Sequence, residues 1–194
     1  MTCGGCRELS EAPVCPACVA RLRPSPDRLI ADRVVVRSAF LHEGPARELV
    51  HRLKYDGMAS VALVLAEAMA PLVNPGSILV PIPRTIVRRH RYGVDQAREL
   101  AVAMARLTGC RMERVLRVGP IAPRHAGRSR DRRPAPRLSA RRRVEGAVVL
   151  VDDVVTTGGT LAAAAELVPA MYAVTATSRI LPQVGGPNVR NTSD

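Results

Sequence analysis

One stretch near the C-terminus constrains the fold of this 194-residue chain more than any other. Residues 148–151 are an uninterrupted run of valine and leucine, which is typical of a strand buried on both faces in a parallel sheet. Asp152 and Asp153 follow directly, so we expect both at the C-terminal end of this strand. Ligands of open α/β sheets bind at that end of the strands. The stretch therefore predicts an α/β fold with a ligand site beside the two aspartates.

The residues after the two carboxylates have the composition of a phosphate-binding loop. They include three threonines and two adjacent glycines: Thr156, Thr157, Gly158, Gly159 and Thr160. Glycine lets backbone N–H groups converge on an anion, and threonine hydroxyls are further donors. Residues 161–168 then predict an alanine-rich helix, whose N-terminus would also favour an anion.

A hydrophobic strand that ends in two aspartates also resembles the Walker B element of nucleoside triphosphatases. Those enzymes need a partner loop of the form G-x-x-x-x-G-K-[ST]. Lys54 is the only lysine of the chain and is preceded by leucine, so this partner is absent and a P-loop enzyme is disfavoured. An ordinary strand, turn and helix with solvated acids is the remaining alternative.

At every position from 148 to 160 the stretch resembles the phosphoribosyl pyrophosphate (PRPP) signature of type I phosphoribosyltransferases. With its flanks it resembles the ComF family, named for a competence protein used in DNA uptake, and this resemblance covers most of the chain. It implies the type I phosphoribosyltransferase fold, a parallel twisted sheet with flanking helices. It also implies that Asp152 and Asp153 hold the ribose hydroxyls, while residues 156–160 wrap the 5′-phosphate.

The resemblance further implies a pyrophosphate loop at residues 80–85, in which Arg84 binds phosphate oxygens. ComF-like proteins carry a similar Lys-Tyr step at Lys54–Tyr55, so this pair approaches the site unless Lys54 is simply an exposed lysine beside a turn. The implied reaction displaces pyrophosphate from C1 of the ribose by a nitrogen nucleophile, with Mg²⁺ beside the pyrophosphate. The acceptor, a base or an amine, is not identified, and whether turnover occurs is left open.

The sequence departs from the family pattern at several positions, including Tyr92, Val94, Asp95 and His125. Asp95 stands where relatives usually have the asparagine of R-G-F-N-Q, and His125 stands where they have the glutamine of T-P-x-Q-A-G. A catalytic role for His125 is disfavoured, because a lone histidine is more often incidental. His125 belongs to residues 124–143, which hold nine arginines and one acid. We expect this segment to be a mobile basic loop that closes over PRPP.

The first twenty residues have the cysteine spacing of a structural zinc site. The pattern is C-x2-C-x8-C-x2-C, formed by Cys3, Cys6, Cys15 and Cys18. Four thiolates in two such pairs suit a tetrahedral Zn²⁺. Disulfides or free thiols are the alternatives, disfavoured by a reducing cytoplasm and by the paired spacing. A segment this short has no core of its own, so metal binding would supply its folding energy. Cys110 is expected to be a small buried residue.

The charge of the chain indicates anionic partners. Its formal net charge is +12 at pH 7, which suits phosphates, nucleotides or nucleic acid. A ComF-type module for single-stranded DNA and a PRPP-sensing regulator are therefore alternatives to an enzyme, although an aromatic content of 2% offers few stacking platforms for DNA. No apolar run is long enough to cross a membrane, and the N-terminus lacks a signal-peptide pattern. We expect a cytoplasmic protein without membrane insertion, and a homodimer is left open.

The same patterns divide the chain into four parts. These are a zinc knuckle (1–22), a strand with helices that pack on the core (23–76), a phosphoribosyltransferase domain (77–185) and a tail (186–194). Besides the elements above, we expect strands at 33–40, 77–80 and 171–181, and helices at 46–54, 59–73 and from Gln96 to a stop at Gly109.

Overall fold

The computed structural model describes residues 1–55, 59–84, 95–119 and 138–179. Its strands are β1 (Arg28–Ile30), β2 (Val34–Leu41), β3 (Ile78–Pro81), β4 (Arg111–Met112), β5 (Leu116–Val118), β6 (Leu138–Ala140), β7 (Val148–Val155) and β8 (Ala170–Ser178). Its helices are α1 (Pro16–Val19), α2 (Gly44–Tyr55), α3 (Ala59–Met69), α4 (Gln96–Thr108) and α5 (Gly159–Ala165), and a 3₁₀ turn (Ala70–Leu72) follows α3.

Six of these strands form the central sheet, in the order β1-β2-β8-β7-β3-β4. Strand β1 runs antiparallel to β2, and every other neighbouring pair in the sheet is parallel. Strands β5 and β6 pair antiparallel in a separate small sheet. Because β7 lies between β8 and β3, it is hydrogen-bonded on both sides. Its C-terminal end therefore lies in the middle of the row of strand ends.

The sheet is covered on both faces, which explains the unbroken apolar run in β7. Val149 and Val151 pack into the same cluster as the buried faces of α2, α3 and α4. Val148 and Leu150 pack into a second cluster with residues of α5, β1 and β5. All four side chains are fully buried. The predicted class is thus confirmed: an α/β protein with a mostly parallel sheet, flanking helices and an N-terminal four-cysteine cluster.

The central strand is longer than the sequence indicated. Strand β7 continues through both aspartates to Val155, because Asp152 pairs with Thr175 and Val154 with Thr177 of β8. The aspartates therefore lie within the strand and not at its C-terminal end as expected, since Val154 and Val155 follow them in β7. Helix α5 also begins at Gly159, two residues earlier than predicted, and ends at Ala165.

The predicted basic loop is also shorter than expected at its C-terminal end. Strand β6 lies inside the range 124–143 and pairs with β5, and Leu138 packs against the second core cluster. Residues 124–137, which include His125, lie outside the described residues, as does the tail at 186–194. Four short strands of two or three residues were not predicted: β1, β4, β5 and β6.

Candidate functional site

The residues with functional chemistry meet where the carboxyl ends of β3, β7 and β8 lie side by side. Asp153 belongs to β7, Arg84 follows β3, and Thr177 belongs to β8. Lys54, at the C-terminal end of α2, reaches the same place from one face of the sheet. The sheet therefore brings together residues that are up to 123 positions apart in the sequence.

Asp153 is a buried carboxylate that is shared by two cations. Its Oδ2 lies 2.8 Å from Nη2 of Arg84 and 3.6 Å from Nζ of Lys54, while its Oδ1 accepts from the backbone N–H of Val154 at 3.0 Å. Burial by itself would raise the pKa of Asp153, but the charges of Arg84 and Lys54 outweigh it and lower the pKa below the usual aspartate range. The group is therefore ionised at neutral pH.

Asp152 has the opposite electrostatic character. It is half-buried, and its Oδ1 accepts from the backbone N–H of Asp153 at 2.9 Å. Burial, and then the negative charge of Asp153, raise the pKa of Asp152 well above the usual range. The pKa values of the two adjacent acids thus shift in opposite directions, and Asp152 is the first of the pair to take up a proton as the pH falls.

The loop at residues 156–160 is shaped to receive an anion. Gly158 has a φ of 83°, and a Cβ at this position would lie 2.7 Å from Cγ2 of Ile30, so only glycine fits. The side chains of Thr156 and Thr157 are exposed. The backbone N–H groups of residues 157–160 donate no hydrogen bond to any residue that the structure describes. Four free donors in one small loop are the feature that an oxyanion requires.

The start of this loop is fixed by an arginine that the sequence did not reveal. Nη1 of Arg28, on β1, donates to the carbonyl oxygens of Thr156 at 3.0 Å and Arg179 at 2.8 Å, and to Oγ of Ser178 at 3.2 Å. One guanidinium nitrogen therefore joins the ends of β7 and β8. A basic residue at the start of a three-residue strand gives no sequence signal for this role.

The structure settles the position of Lys54, which the sequence left open between a site residue and an exposed surface lysine. Its contact with Asp153 places it in the site. The carbonyl oxygen of Lys54 accepts from Nε2 of Gln96 at 3.4 Å. Gln96 is fully buried, and its Oε1 has no hydrogen-bond partner among the described residues. Asp95, the departure from the family pattern, caps α4 by accepting from the N–H of Arg98 at 3.4 Å.

His42 is a second site residue that sequence reasoning missed. It directly follows β2, where its backbone N–H donates to the carbonyl of Ser178 at 2.8 Å and its Nδ1 lies 2.8 Å from Oγ1 of Thr177. Burial, and then the neighbouring charges of Arg179 and Lys54, lower the pKa of His42 below the usual histidine range. Its position at the end of a predicted strand was the one available signal.

The four N-terminal cysteines form a compact cluster, as predicted. The Sγ atoms of Cys3, Cys6, Cys15 and Cys18 all lie within 4.8 Å of one another, and those of Cys6 and Cys15 are 3.8 Å apart. Ligands about 2.3 Å from a tetrahedral zinc are separated by about 3.8 Å, so the donor set fits Zn²⁺. Cys110 is buried and lies outside the cluster, as expected.

The backbone around the cluster supports thiolate ligands. The N–H groups of Gly5 and Cys15 donate to Sγ of Cys3 at 3.4 and 3.2 Å. Burial alone would raise the pKa of Cys3, but these backbone donors lower it to about 6. Arg7 adopts a φ of 71° as the chain turns after the first cysteine pair, and its N–H donates to the carbonyl of Cys3 at 3.0 Å. This tight turn brings the paired sulfurs onto one side.

The knuckle has no separate core, as expected, and it packs on the main core instead. Cys3 and Cys18 belong to the same buried cluster as α2 and α3. A Cβ on Gly4 would lie 2.8 Å from Cδ2 of Leu49 in α2, so the knuckle backbone touches this helix directly. The helix that carries Lys54 to Asp153 is thus packed against the cysteine cluster.

Comparison with known proteins gives two relatives by sequence. The chain is 34% identical over 137 residues to the "DNA utilization protein YhgH" of Salmonella typhi. This match covers 63% of this chain and 60% of that protein. The protein of the same name from Salmonella typhimurium gives the same identity and coverage. The chain thus spans less than two thirds of the length of these relatives. No family model matches the chain.

Among solved structures, a purine phosphoribosyltransferase from Pyrococcus horikoshii Ot3 is 17% identical and covers 66% of this chain and 90% of its own. Its TM-score is 0.31, a value at which the likeness supports no conclusion. None of the helices in the described part of the chain is long and apolar enough to cross a membrane.

Proposed function

We propose that the chain binds PRPP at the carboxyl edge of its sheet and transfers the phosphoribosyl group to a nitrogen nucleophile, with release of pyrophosphate. The observation that carries this proposal is the loop at 156–160, whose free N–H groups follow two adjacent acids, the half-buried Asp152 and the buried Asp153. A loop of donors for a phosphate beside carboxylates for sugar hydroxyls matches the two chemistries of a phosphorylated ribose. The signature resemblance at residues 148–160 and ComF-family membership belong to the same proposal.

Each end of the ligand has its own partner in this proposal. The N–H groups and hydroxyls of residues 156–160 hold the 5′-phosphate. Asp152 and Asp153 accept hydrogen bonds from the ribose 2′- and 3′-hydroxyls, and ionised acceptors make the stronger bonds. Holding both ends apart keeps C1 positioned while positive charge develops on the sugar.

Arg84 and Lys54 serve the leaving pyrophosphate. Without ligand they neutralise Asp153, at 2.8 and 3.6 Å. A pyrophosphate carries more negative charge than one carboxylate, so each cation has a stronger electrostatic attraction to it than to Asp153. Mg²⁺ would supply further charge neutralisation beside the pyrophosphate, and the carboxylate oxygens of the site are donors of the kind that it prefers. The cysteine cluster would hold a structural Zn²⁺ away from this chemistry.

Calorimetric titration of the parent with PRPP and Mg²⁺ tests the binding step, with Thr157→Val as the probe of the loop. This variant removes one donor at an exposed position and retains the side-chain shape, so we expect weaker binding by roughly five- to tenfold at an unchanged melting temperature. Glu67→Gln, on the exposed face of α3, is the control for the protein preparation and should bind as the parent does. No heat of binding by the parent, or equal affinity for Thr157→Val, would count against the site.

A second candidate function is the handling of single-stranded DNA. The name of the Salmonella relatives, which refers to DNA utilization, and the net charge of +12 favour it. Retention of labelled single strands at several salt concentrations tests it, because phosphate contacts weaken steeply as salt rises. Salt-sensitive retention together with no PRPP binding would replace the first proposal by this one.

A further inference from the structure

His42 lies in the site, yet the PRPP contacts proposed above leave it without a role. Its ring is half-buried, and its Nδ1 is engaged by Thr177 at 2.8 Å. The ring Nε2 makes no hydrogen bond to another described residue. Since a buried neutral imidazole has one donor and one acceptor nitrogen, the bond to Thr177 decides which nitrogen keeps the lone pair.

The hydroxyl of Thr177 has a second partner besides His42. Its Oγ1 lies 3.5 Å from the carbonyl oxygen of Asp153, and a carbonyl oxygen is only an acceptor. When the hydroxyl proton is directed to Asp153, Oγ1 accepts from the N–H of His42 Nδ1, and the neutral ring has its lone pair on Nε2. This is the tautomer that a base needs.

The strand order places His42 and Arg84 on opposite sides of β7. Arg84, the proposed pyrophosphate partner, follows β3 on one side of β7. His42 follows β2, which lies beyond β8 on the other side of β7. A nucleophile that displaces pyrophosphate from C1 approaches from the side away from the leaving group. With the pyrophosphate held at Arg84, the attacking nitrogen would enter from the side of β7 that carries His42.

On the basis of the proposed transfer reaction, we propose that His42 is a catalytic base whose Nε2 accepts the proton lost by the attacking nitrogen. The nitrogen lone pair forms the new bond to C1, and the bond from C1 to the pyrophosphate oxygen breaks with its electron pair going to pyrophosphate. The N–H proton of the acceptor passes to Nε2 and later to solvent. The acceptor is accordingly a nitrogen that carries a proton to lose, such as a ring N–H or an amine.

The charges around His42 keep it unprotonated, as this role requires. Three cations and one carboxylate act on its ring: Arg179, Lys54, Arg47 and Asp153. Burial and the cations disfavour the imidazolium, and the opposing effect of Asp153 is smaller. A proton taken from the acceptor makes this site more positive, which favours its rapid release to water.

Kinetics of pyrophosphate release test the proposal with PRPP, Mg²⁺ and a panel of purine bases, pyrimidine bases and ammonia. His42→Asn keeps a polar side chain but has no basic nitrogen, so we expect kcat to fall by about 10²- to 10⁴-fold with little change in PRPP affinity by calorimetry. The parent should lose activity on an acidic limb below the usual histidine range, and this limb should vanish in the variant. His51→Asn, at an exposed position of α2, is the matched control and should behave as the parent.

Nitrogen chemical shifts of the labelled imidazoles provide a readout that does not need turnover. We expect His42 in the Nδ1–H tautomer, and Thr177→Val should relax this preference. An Nε2–H tautomer in the parent, or a His42→Asn variant whose kcat is within threefold of the parent, overturns the role of His42. PRPP binding without any pyrophosphate release also overturns it, while the proposed binding site stands. Absence of PRPP binding instead removes the proposed function itself.

Discussion

Arg84 Nη2 and Asp153 Oδ2 lie 2.8 Å apart, and both side chains are almost completely shielded from solvent, with exposed fractions of 13% and 9%. An ion pair with so little water around it has high desolvation costs, and it is stable only while both partners are present. Lys54 gives the carboxylate a second cation at 3.6 Å. Both cations therefore lie at the sheet edge where an anionic ligand is proposed to bind.

The first prediction concerns this ion pair. Arg84→Gln leaves Asp153 with Lys54 alone, and breaking a buried pair typically costs about 3–5 kcal/mol. Because Lys54 remains in contact, we expect the loss in the free energy of unfolding to lie at the low end of this range. Chemical denaturation of Arg84→Gln, Asp153→Asn and the double variant measures the coupling. If the loss of stability in the double variant equals the sum of the two single losses, the two residues do not interact.

The second prediction concerns the backbone of the loop. Gly158→Ala introduces a Cβ at a φ of 83° and within 2.7 Å of Ile30 Cγ2. The left-handed conformation alone costs an alanine about 1–2 kcal/mol, and the contact with Ile30 adds to it. Thermal melts should show a lower melting temperature than for Gly159→Ala, whose Cβ would meet only Thr157 Oγ1 at 3.9 Å. Equal melting temperatures for the two variants would contradict the geometry described for Gly158.

The local chemistry of this loop could be predicted from sequence because it depends on adjacent residues. A valine-rich run before two acids and a Thr-Gly loop indicates a buried parallel strand followed by a turn, and β7 has that form. The extension of β7 to Val155 could not be predicted, since it depends on pairing with β8. For the same reason Asp152 and Asp153 lie within a paired strand rather than at its C-terminal end.

The third prediction concerns the cysteine cluster. Purified protein should carry about one zinc per chain, as should Cys110→Ala, whereas Cys15→Ser should lose it. Metal analysis under reducing conditions, without chelator during purification, measures this. Since the knuckle packs on α2, we also expect Cys15→Ser to speed hydrogen exchange in α2 and not only in the first twenty residues. Exchange confined to residues 1–22 would show that the knuckle folds independently of the helix.

The residues that the sequence could not assign to the site act across long separations. Arg28 contacts Ser178 at a separation of 150 positions, and His42 contacts Thr177 at a separation of 135. Neither residue belongs to a motif, because its role follows from the order β1-β2-β8 in the sheet. Lys54 was the intermediate case: its family pattern suggested the site, but only the packing of α2 on the sheet brings it to Asp153.

The last prediction separates stability from ligand binding at Asp152. The folded pKa of Asp152 is raised, so in the window above the unfolded value of about 3.9 the native state binds more protons than the unfolded state, and stability falls as pH rises through that window. Asp153 has the opposite sign: its folded pKa is lowered, so its stabilisation is present above the unfolded value and is lost as pH falls through the folded pKa. Ionisation of Asp152 is therefore a cost to the fold.

Asp152→Asn removes that cost and keeps an oxygen that can accept from the N–H of Asp153, as Oδ1 does now at 2.9 Å. We expect denaturation at pH 7 to show a variant at least as stable as the parent, with less loss of stability between pH 4 and neutrality. Calorimetry should show PRPP affinity reduced by roughly ten- to a hundredfold, because one charge-assisted hydrogen bond to a ribose hydroxyl is worth about 1.5–3 kcal/mol. A variant that is less stable at pH 7, or that binds PRPP as tightly as the parent, would show that Asp152 serves the fold and not the ligand.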